Sequence, residues 1–172
     1  MVIPCSSFLF IMVNVVMFIK HMFEERMMPV DTALLILEDG TIFHGTPYAQ
    51  RGRSSGVLFG TTAAFGYQEL LTSQDVTGKI VLFTTPHIGN TGVLDLGEDS
   101  QYTAAGVIIR DPIARGSHYQ KTGELEEALK NAGVVGIQQV DTRAIMRKIR
   151  DTPQTAAILS GEDAHNYLVV HS

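Results

Sequence analysis

The sequence predicts one small α/β domain with a mixed β-sheet and about three short helices. Early in the chain, β-rich runs flank a tight turn, a pattern that favours antiparallel pairing. Later, strand, helix, strand, helix and strand alternate, which favours a parallel or mixed sheet. The chain has 172 residues, of which 45% are hydrophobic, so it can bury one core but not two large domains.

The predicted domain opens with a hairpin. Two β-rich runs, 33–37 and 41–45, are separated by Glu38-Asp39-Gly40. Asp-Gly in this position predicts a type I′ turn, in which both central residues have positive φ. A polar loop is expected over 47–55, because this stretch contains Pro, Gly and Arg, and a strand then restarts at 57–59.

Four more strands and three helices follow in the sequence. We expect strands at 80–85, 106–110, 134–137 and 155–159, each ended by Gly, Pro or polar residues. Helices are expected at 66–71, after Thr122 and at 142–150, the second with a single apolar face. Thr122 and Asp141 are the expected N-caps, and Gly133 is the expected residue just past the second helix.

The first 28 residues differ from the rest, because Val2–Ile19 is almost wholly apolar. One interpretation is an upstream extension, since several later methionines offer alternative starts. A second is a membrane anchor, for which about 20 apolar residues are needed. A third is a buried core helix. A signal peptide is disfavoured, because the first lysine, Lys20, follows the apolar run instead of preceding it.

Composition excludes several classes of function. The formal net charge is -5, and no basic run is longer than Arg147-Lys148, which argues against nucleic-acid binding. Cys5 is the single cysteine, so the sequence has no disulfide framework and no cysteine-based zinc site. This usage fits a reducing cytosol, and we expect a cytoplasmic protein unless residues 2–19 are a real membrane anchor.

The loop from His87 to Gly92 is the first candidate site, because it follows a strand end, where α/β folds often bind ligands. It lacks the GxxxxGK[ST] pattern of a phosphate-binding loop, so a shaped packing or docking loop is the simpler interpretation. The six histidines show no metal-ligand spacing. Ser73, Ser100 and Ser117 have no nucleophile-elbow context such as GxSxG, and Cys5 lies in the apolar leader with no Gly-rich elbow around it.

Charged residues give two further candidates. Asp95, Glu98 and Asp99 form an acidic loop that is either a cation site or a solvated turn. The pairs Arg110-Asp111 and Asp141 with Arg143 either cap local structure or contact a partner subunit.

Several segments in order resemble the carbamoyl-phosphate synthase small chain. The opening strand pair, 33–45, looks like the start of that family. Four short motifs then match in order and spacing, and the similarity as a whole covers roughly 33–163. The motifs are Gly66-Tyr67-Gln68-Glu69-x-Leu71-Thr72, Pro86-His87-Ile88-Gly89-Asn90-x-Gly92, the strand ending in Arg110-Asp111, and Val134-x-Gly136-Ile137 with Asp141-Thr142-Arg143.

The resemblance implies a swivelling β/β/α-type domain at residues 29–163, preceded by the leader 1–28 and followed by a short tail, 164–172. In the family, this part docks on a large chain that uses ATP and magnesium to make carbamoyl phosphate. A separate amidotransferase part, with a Cys–His–Glu triad, hydrolyses glutamine for arginine and pyrimidine synthesis. Only the docking part is matched here, so the resemblance implies a truncated small chain with no catalytic residue and no cofactor of its own.

The resemblance also assigns individual residues. Asp75 occupies the position of a family serine that approaches glutamine, so it is the candidate glutamine-binding residue. The candidate interface or structural-loop residues are Tyr67, Gln68, His87, Gly89, Asn90, Gly92 and Arg110. The alternatives are a membrane-tethered interaction domain or an inactive relic, and changes such as Asp75 and Gln120 fit the latter.

Overall fold

The computed structural model describes residues 31–95 and 101–171. It contains seven strands, β1 to β7, at Ala33–Leu37, Ile42–Ala49, Arg53–Thr61, Ile80–Phe83, Gly106–Ile108, Val135–Gln138 and Thr155–Ser160. Four helices, α1 to α4, span Tyr67–Thr72, Leu125–Asn131, Thr142–Ile149 and Glu162–His171. A 3₁₀ turn lies at Gln74–Val76.

The strands form one mixed sheet that closes on itself in the order β1-β2-β6-β5-β4-β3-β7. Strands β3, β4, β5 and β6 are parallel to their neighbours within that group. Strands β1, β2 and β7 complete the ring through antiparallel pairs. The predicted α/β class with a mixed sheet is therefore confirmed, although the last strand, β7, is antiparallel to both of its neighbours.

Two layers of apolar side chains hold this sheet. Alternate residues of the strands point inward, and Ile145 and Ile149 of α3 join them in one buried cluster. Helices α1 and α2 cover the outer face of the parallel strands, where Leu71, Leu125 and Leu129 are buried. This two-sided burial explains why β4, Ile80–Phe83, is apolar at every position.

The predicted hairpin is present, but its predicted type I′ turn is wrong. Gly40 has a φ of 80°, whereas Asp39 does not have a positive φ. Leu37 N donates to Thr41 O at 2.9 Å, and Gly40 N donates to Leu37 O at 3.0 Å. These bonds enclose a three-residue loop, in which only the last residue needs the left-handed conformation.

The predicted loop at 47–55 is also wrong, because β2 extends to Ala49 and β3 begins at Arg53. Pro47 lies opposite Ile137 in the antiparallel pair. In β3, Arg53, Ser55 and Val57 are exposed while the residues between them are half-buried. The polar composition therefore reflects one solvent-facing side of a strand instead of a loop.

Helix α2 begins later than predicted, with Glu124 in place of Thr122 at its N-cap position. Thr122 is engaged elsewhere, because its N–H and its hydroxyl both donate to Val93 O, at 2.7 and 3.1 Å. The predicted cap at Asp141 is confirmed, since its carboxylate accepts a 2.9 Å hydrogen bond from Ala144 N.

Helix α4 runs across the predicted boundary at residue 163 and contains most of the predicted tail. Ala164 is fully buried against Leu34 and Leu159, and Tyr167 and Leu168 are partly buried beside them. The segment is therefore an ordered element packed on β1 and β7. No helix in the described part of the chain is long and apolar enough to cross a membrane, and residues 2–19 lie outside that part.

Candidate functional site

The candidate site lies where the four parallel strands end. Because β3 to β6 are parallel, the loops that follow them, 62–66, 84–93, 109–123 and 139–141, meet at one edge of the sheet, which we call the carboxyl edge. These loops are bonded to one another. His87 N donates to Asp111 O at 3.1 Å, and Gln139 N donates to Arg110 O at 3.0 Å. In open α/β sheets the corresponding carboxyl ends of the strands are where ligands usually bind.

The loop from His87 to Gly92 adopts a backbone that depends on its two glycines. Gly89 and Gly92 have φ values of 96° and 75°. A Cβ on Gly89 would lie 2.9 Å from Ile113 O, and one on Gly92 would lie 2.9 Å from Gly123 O. Both positions therefore combine the left-handed conformation with close backbone contact, which only glycine accommodates without strain. His87 has a φ of 66° and is exposed.

Asn90 joins this loop to the one after β5. Its backbone oxygen accepts hydrogen bonds from Ser117 N at 2.8 Å and from Ser117 Oγ at 3.2 Å. Its side-chain Oδ1 is buried without a hydrogen-bond partner. The Asn90 backbone thus fixes the neighbouring loop.

Tyr67 and Gln68 fasten α1 to the same loop. The Tyr67 hydroxyl lies 2.5 Å from Thr91 Oγ1 and donates to Gly92 O at 2.7 Å. Gln68 Nε2 donates to Leu94 O at 2.7 Å, and its Oε1 accepts from Leu94 N at 2.8 Å. Both residues are buried, so these bonds form away from competing water. The pair acts as a clamp, which sequence reasoning did not foresee because the partners lie 24 to 26 residues away.

Arg110 contributes charge at this edge. It is exposed, and its Nε lies 3.4 Å from the Asp111 carboxylate. Asp141 lies nearby, and hydrogen bonding holds the pKa of its carboxyl below the ordinary value. The main cause is the Ala144 N–H, with smaller contributions from the Arg143 N–H, Arg147 and Arg110. The lowered pKa keeps Asp141 ionised as the cap of α3.

Asp75 lies apart from the other candidate residues. It belongs to the 3₁₀ turn that precedes β4, so it stands at the opposite end of the parallel strands, which we call the amino edge (residues 73–79). It is exposed, and its N–H donates to Ser73 Oγ at 3.2 Å. The structure thus brings Tyr67, Gln68 and the 87–92 loop together and separates Asp75 from them.

Metal binding has no geometric support in the described residues. No group of three or more His, Cys, Asp and Glu side chains within 31–95 and 101–171 is placed to hold an ion. Of the predicted acidic loop, Glu98 and Asp99 lie outside the described residues. His44 is exposed on β2.

Comparison with known proteins gives the family. The family model described as carbamoyl-phosphate synthase small chain, CPSase domain, matches residues 35–159, which is most of the chain. This chain belongs to the carbamoyl-phosphate synthase small chain family. The matched residues include β2 to β6, most of β1 and β7, the Tyr67–Gln68 clamp and the carboxyl edge, and the resemblance found in the sequence is confirmed.

Curated relatives agree with this assignment. The small chain of Halomonas eurihalina is 43% identical over 134 residues, which cover 77% of this chain and 35% of the relative. Those of Bifidobacterium longum strain DJO10A and Escherichia coli strain K12 are 40% and 39% identical over 134 and 136 residues. The chain spans only 33% to 36% of the length of these small chains.

Proposed function

We propose that this domain is the N-terminal docking domain of the small chain of glutamine-hydrolysing carbamoyl-phosphate synthase. Its role is structural: it holds an amidotransferase domain against the large chain. In this way it supports the supply of glutamine-derived ammonia for carbamoyl phosphate, and through it for arginine and pyrimidine synthesis. ATP and magnesium belong to the large chain in this proposal, and no catalytic residue is assigned to the domain.

The observation that carries the proposal is the family match combined with the bonding of the carboxyl edge. The backbone groups of His87, Asn90 and Gly92 in this loop are hydrogen-bonded to Asp111, Ser117 and Tyr67, so the loop is held against its neighbours. A surface whose loops are fixed in this way loses little conformational entropy on binding, which suits docking. Asp75, exposed at the amino edge, is the residue we propose to face glutamine.

Binding to the large chain tests the docking role. The full chain, mixed at micromolar concentration with the large chain from the same genome, should co-elute with it on size exclusion. A full-length small chain should displace it, because both would use one surface. Separate elution of the two proteins contradicts the proposal.

Glutamine hydrolysis tests the absence of catalysis. The purified full chain should release no ammonia from glutamine above the buffer background, alone or with the large chain. The matched control is a full-length small chain, which should release ammonia in the same assay. Measurable glutaminase activity from this chain alone would overturn the structural role.

A further inference from the structure

Thr103 joins the two ends of the turn that carries Asp75. This turn runs from Ser73 to Gly78, between α1 and β4, and belongs to the amino edge. Thr103 Oγ1 donates to Ser73 O at 2.6 Å, where the turn begins, across 30 residues of sequence. Thr103 O accepts a 3.1 Å bond from Gly78 N, where the turn ends. A single residue from a distant segment therefore spans the whole turn.

The hydrogen bonds within the turn itself are long. Val76 N lies 3.4 Å from Ser73 O, and Thr77 N lies 3.2 Å from Gln74 O. A separation of 3.4 Å is beyond the usual range of N–H···O bonds, whereas 2.6 Å is within the usual range of O–H···O bonds. The Ser73 carbonyl thus has its stronger bond with Thr103, and the shape of the turn depends on a group outside it.

Thr103 is fixed by its own neighbours. Its N–H donates to Leu71 O at 3.0 Å, in the last turn of α1. The next residue, Ala104, is buried and forms a β-bridge with Thr77. The bond from Thr103 Oγ1 to Ser73 O is half-buried, so water competes for it less than it would at the surface. The hydroxyl is therefore held where it meets the turn.

Asp75 gives its backbone to the turn and its carboxylate to solvent. Its N–H donates to Ser73 Oγ at 3.2 Å, and the residue is exposed. Val76 beside it is fully buried in the apolar cluster that α1 covers. Because neighbouring residues point in opposite directions here, a change in the shape of the turn would change where the carboxylate points.

We propose that Thr103 is a positioning residue for Asp75, and that its hydroxyl holds the turn in the shape that presents the carboxylate at the amino edge. This inference rests on the proposed function, in which Asp75 faces glutamine, and adds the residue that sets the direction of the carboxylate. A carboxylate only accepts hydrogen bonds, and the donors of glutamine are its ammonium group and its amide NH₂. Its direction therefore decides whether it meets them.

Hydrogen exchange of the full chain, followed by NMR without glutamine or the large chain, tests the proposal. Thr103→Val keeps the shape of the side chain and removes the hydroxyl. The amides of Thr77 and Gly78 should exchange about tenfold faster, because the loss of one hydrogen bond favours local opening by about that factor. The Ile109 amide, which donates to Ile137 O at 3.0 Å in the buried sheet, should keep its wild-type rate.

Two variants serve as controls. Thr103→Ser retains the hydroxyl and should restore the wild-type exchange of Thr77 and Gly78. Thr84→Val removes another half-buried hydroxyl bond, the 3.0 Å bond from Thr84 Oγ1 to Thr61 O, but at the carboxyl edge. It should leave the amides of the turn unchanged.

A third variant tests whether Asp75 is presented by the turn or is part of its structure. Asp75→Ala keeps the backbone N–H and removes only the exposed carboxylate, so the amides of Thr77 and Gly78 should exchange at the wild-type rate. Faster exchange in Asp75→Ala would show that the carboxylate helps to build the turn, and the positioning role of Thr103 would be wrong.

The remaining outcomes are equally decisive. Wild-type exchange of the turn in Thr103→Val would show that Thr103 does not position it. An equal acceleration at Ile109 would show that the residue acts on the stability of the whole domain, and a Thr103→Ser variant that behaves like Thr103→Val would show that the hydroxyl is not the cause. None of these results depends on the docking function, which fails separately if the wild-type chain does not co-elute with the large chain.

Discussion

At the level of single residues, the clamp formed by Tyr67 and Gln68 shows how a short helix positions a distant loop. The Gln68 amide satisfies both backbone groups of Leu94, as a neighbouring strand would. A carboxamide is suited to this because its NH₂ group donates and its carbonyl oxygen accepts, and both are bonded to the same carbon. Gln68 is 8% exposed, so loss of either bond leaves a buried polar group without a partner.

Gln68→Glu should destabilise the domain by about 1–3 kcal/mol, because a carboxylate oxygen would face Leu94 O in place of the donor. The measurement is the free energy of urea unfolding at pH 7. Gln74→Glu is the matched control, since Gln74 is exposed, and it should change stability by no more than about 0.5 kcal/mol. Equal effects of the two substitutions would show that the clamp does not form.

Asp39 provides a pH-dependent contact between the first hairpin and α3. Lys148 Nζ lies 2.6 Å from its carboxylate and 2.8 Å from Thr41 Oγ1. The hydrogen bond from Lys148, followed by those from Thr41, lowers the pKa of Asp39 from 3.8 to about 2. Since the folded pKa is below the unfolded one, the contribution to stability is present above about pH 4 and is lost as pH falls through about 2.

The Asp39 carboxyl resonance should therefore titrate near pH 2 in the wild-type chain, as followed by carbon NMR. Lys148→Met should move the midpoint up toward 3.8, the ordinary value. Lys130→Met on α2 is the control and should leave the midpoint where it is. A wild-type midpoint near 4 would contradict the contact.

At the level of elements, the loop from His87 to Gly92 shows how backbone packing selects glycine. Its close approach to the chain at Ile113 and at Gly123 is what allows the loops after β4 and β5 to meet. The positive φ and the steric contact are separate reasons why a position requires glycine, and two glycines of this chain distinguish them. Gly92 and Gly133 have nearly equal φ values, 75° and 74°, but nothing lies within 4 Å of a Cβ built on Gly133.

Gly133→Ala should cost about 1–2 kcal/mol, the penalty for the left-handed backbone alone. Gly92→Ala should cost about 1–3 kcal/mol more, because its Cβ would also press on Gly123 O. Urea unfolding of the two variants measures the difference. If the two substitutions cost the same, the loop does not pack as described.

At the level of the whole molecule, the closed sheet makes every strand depend on two neighbours. The inner cluster draws residues from strands on all sides of the ring and from α3. Helix α3 links the ring to the carboxyl edge, since Asp141 precedes it and Ile145 lies in the inner cluster. We therefore expect the described domain to unfold as one unit.

Ile145→Ala should lower the unfolding free energy by about 2–5 kcal/mol, because it opens a cavity at a fully buried position. Far-UV circular dichroism and tyrosine fluorescence should still report one coincident transition in urea. Val57→Ala, at a residue 43% exposed, is the control and should cost less than about 1 kcal/mol. Two separated transitions would show that the helix layer and the ring unfold independently.

The sequence by itself determined the class of the fold, the family and most of the elements. Those features depend on local signals: the apolar run of β4, the Asp141 cap and the ordered motifs around Gln68 and Gly92. Local signals of the same kind gave a wrong prediction at 47–55, because polar residues on the solvent-facing side of β2 and β3 have the composition of a loop. They also left α4 unrecognised, because only contact with Leu34 and Leu159 gives Ala164 its buried position.

The tertiary structure alone decided which residues act together. The clamp joins residues 24 to 26 apart, and the parallel strands place Phe65, Asn90 and Arg110 at one edge but Asp75 at the other. No local pattern carries this information, because strand order and direction set it. The separation of the two edges follows from the shared direction of β3 and β4, because the connection through α1 must return from the end of β3 to the start of β4 and so leaves Asp75 at the opposite edge.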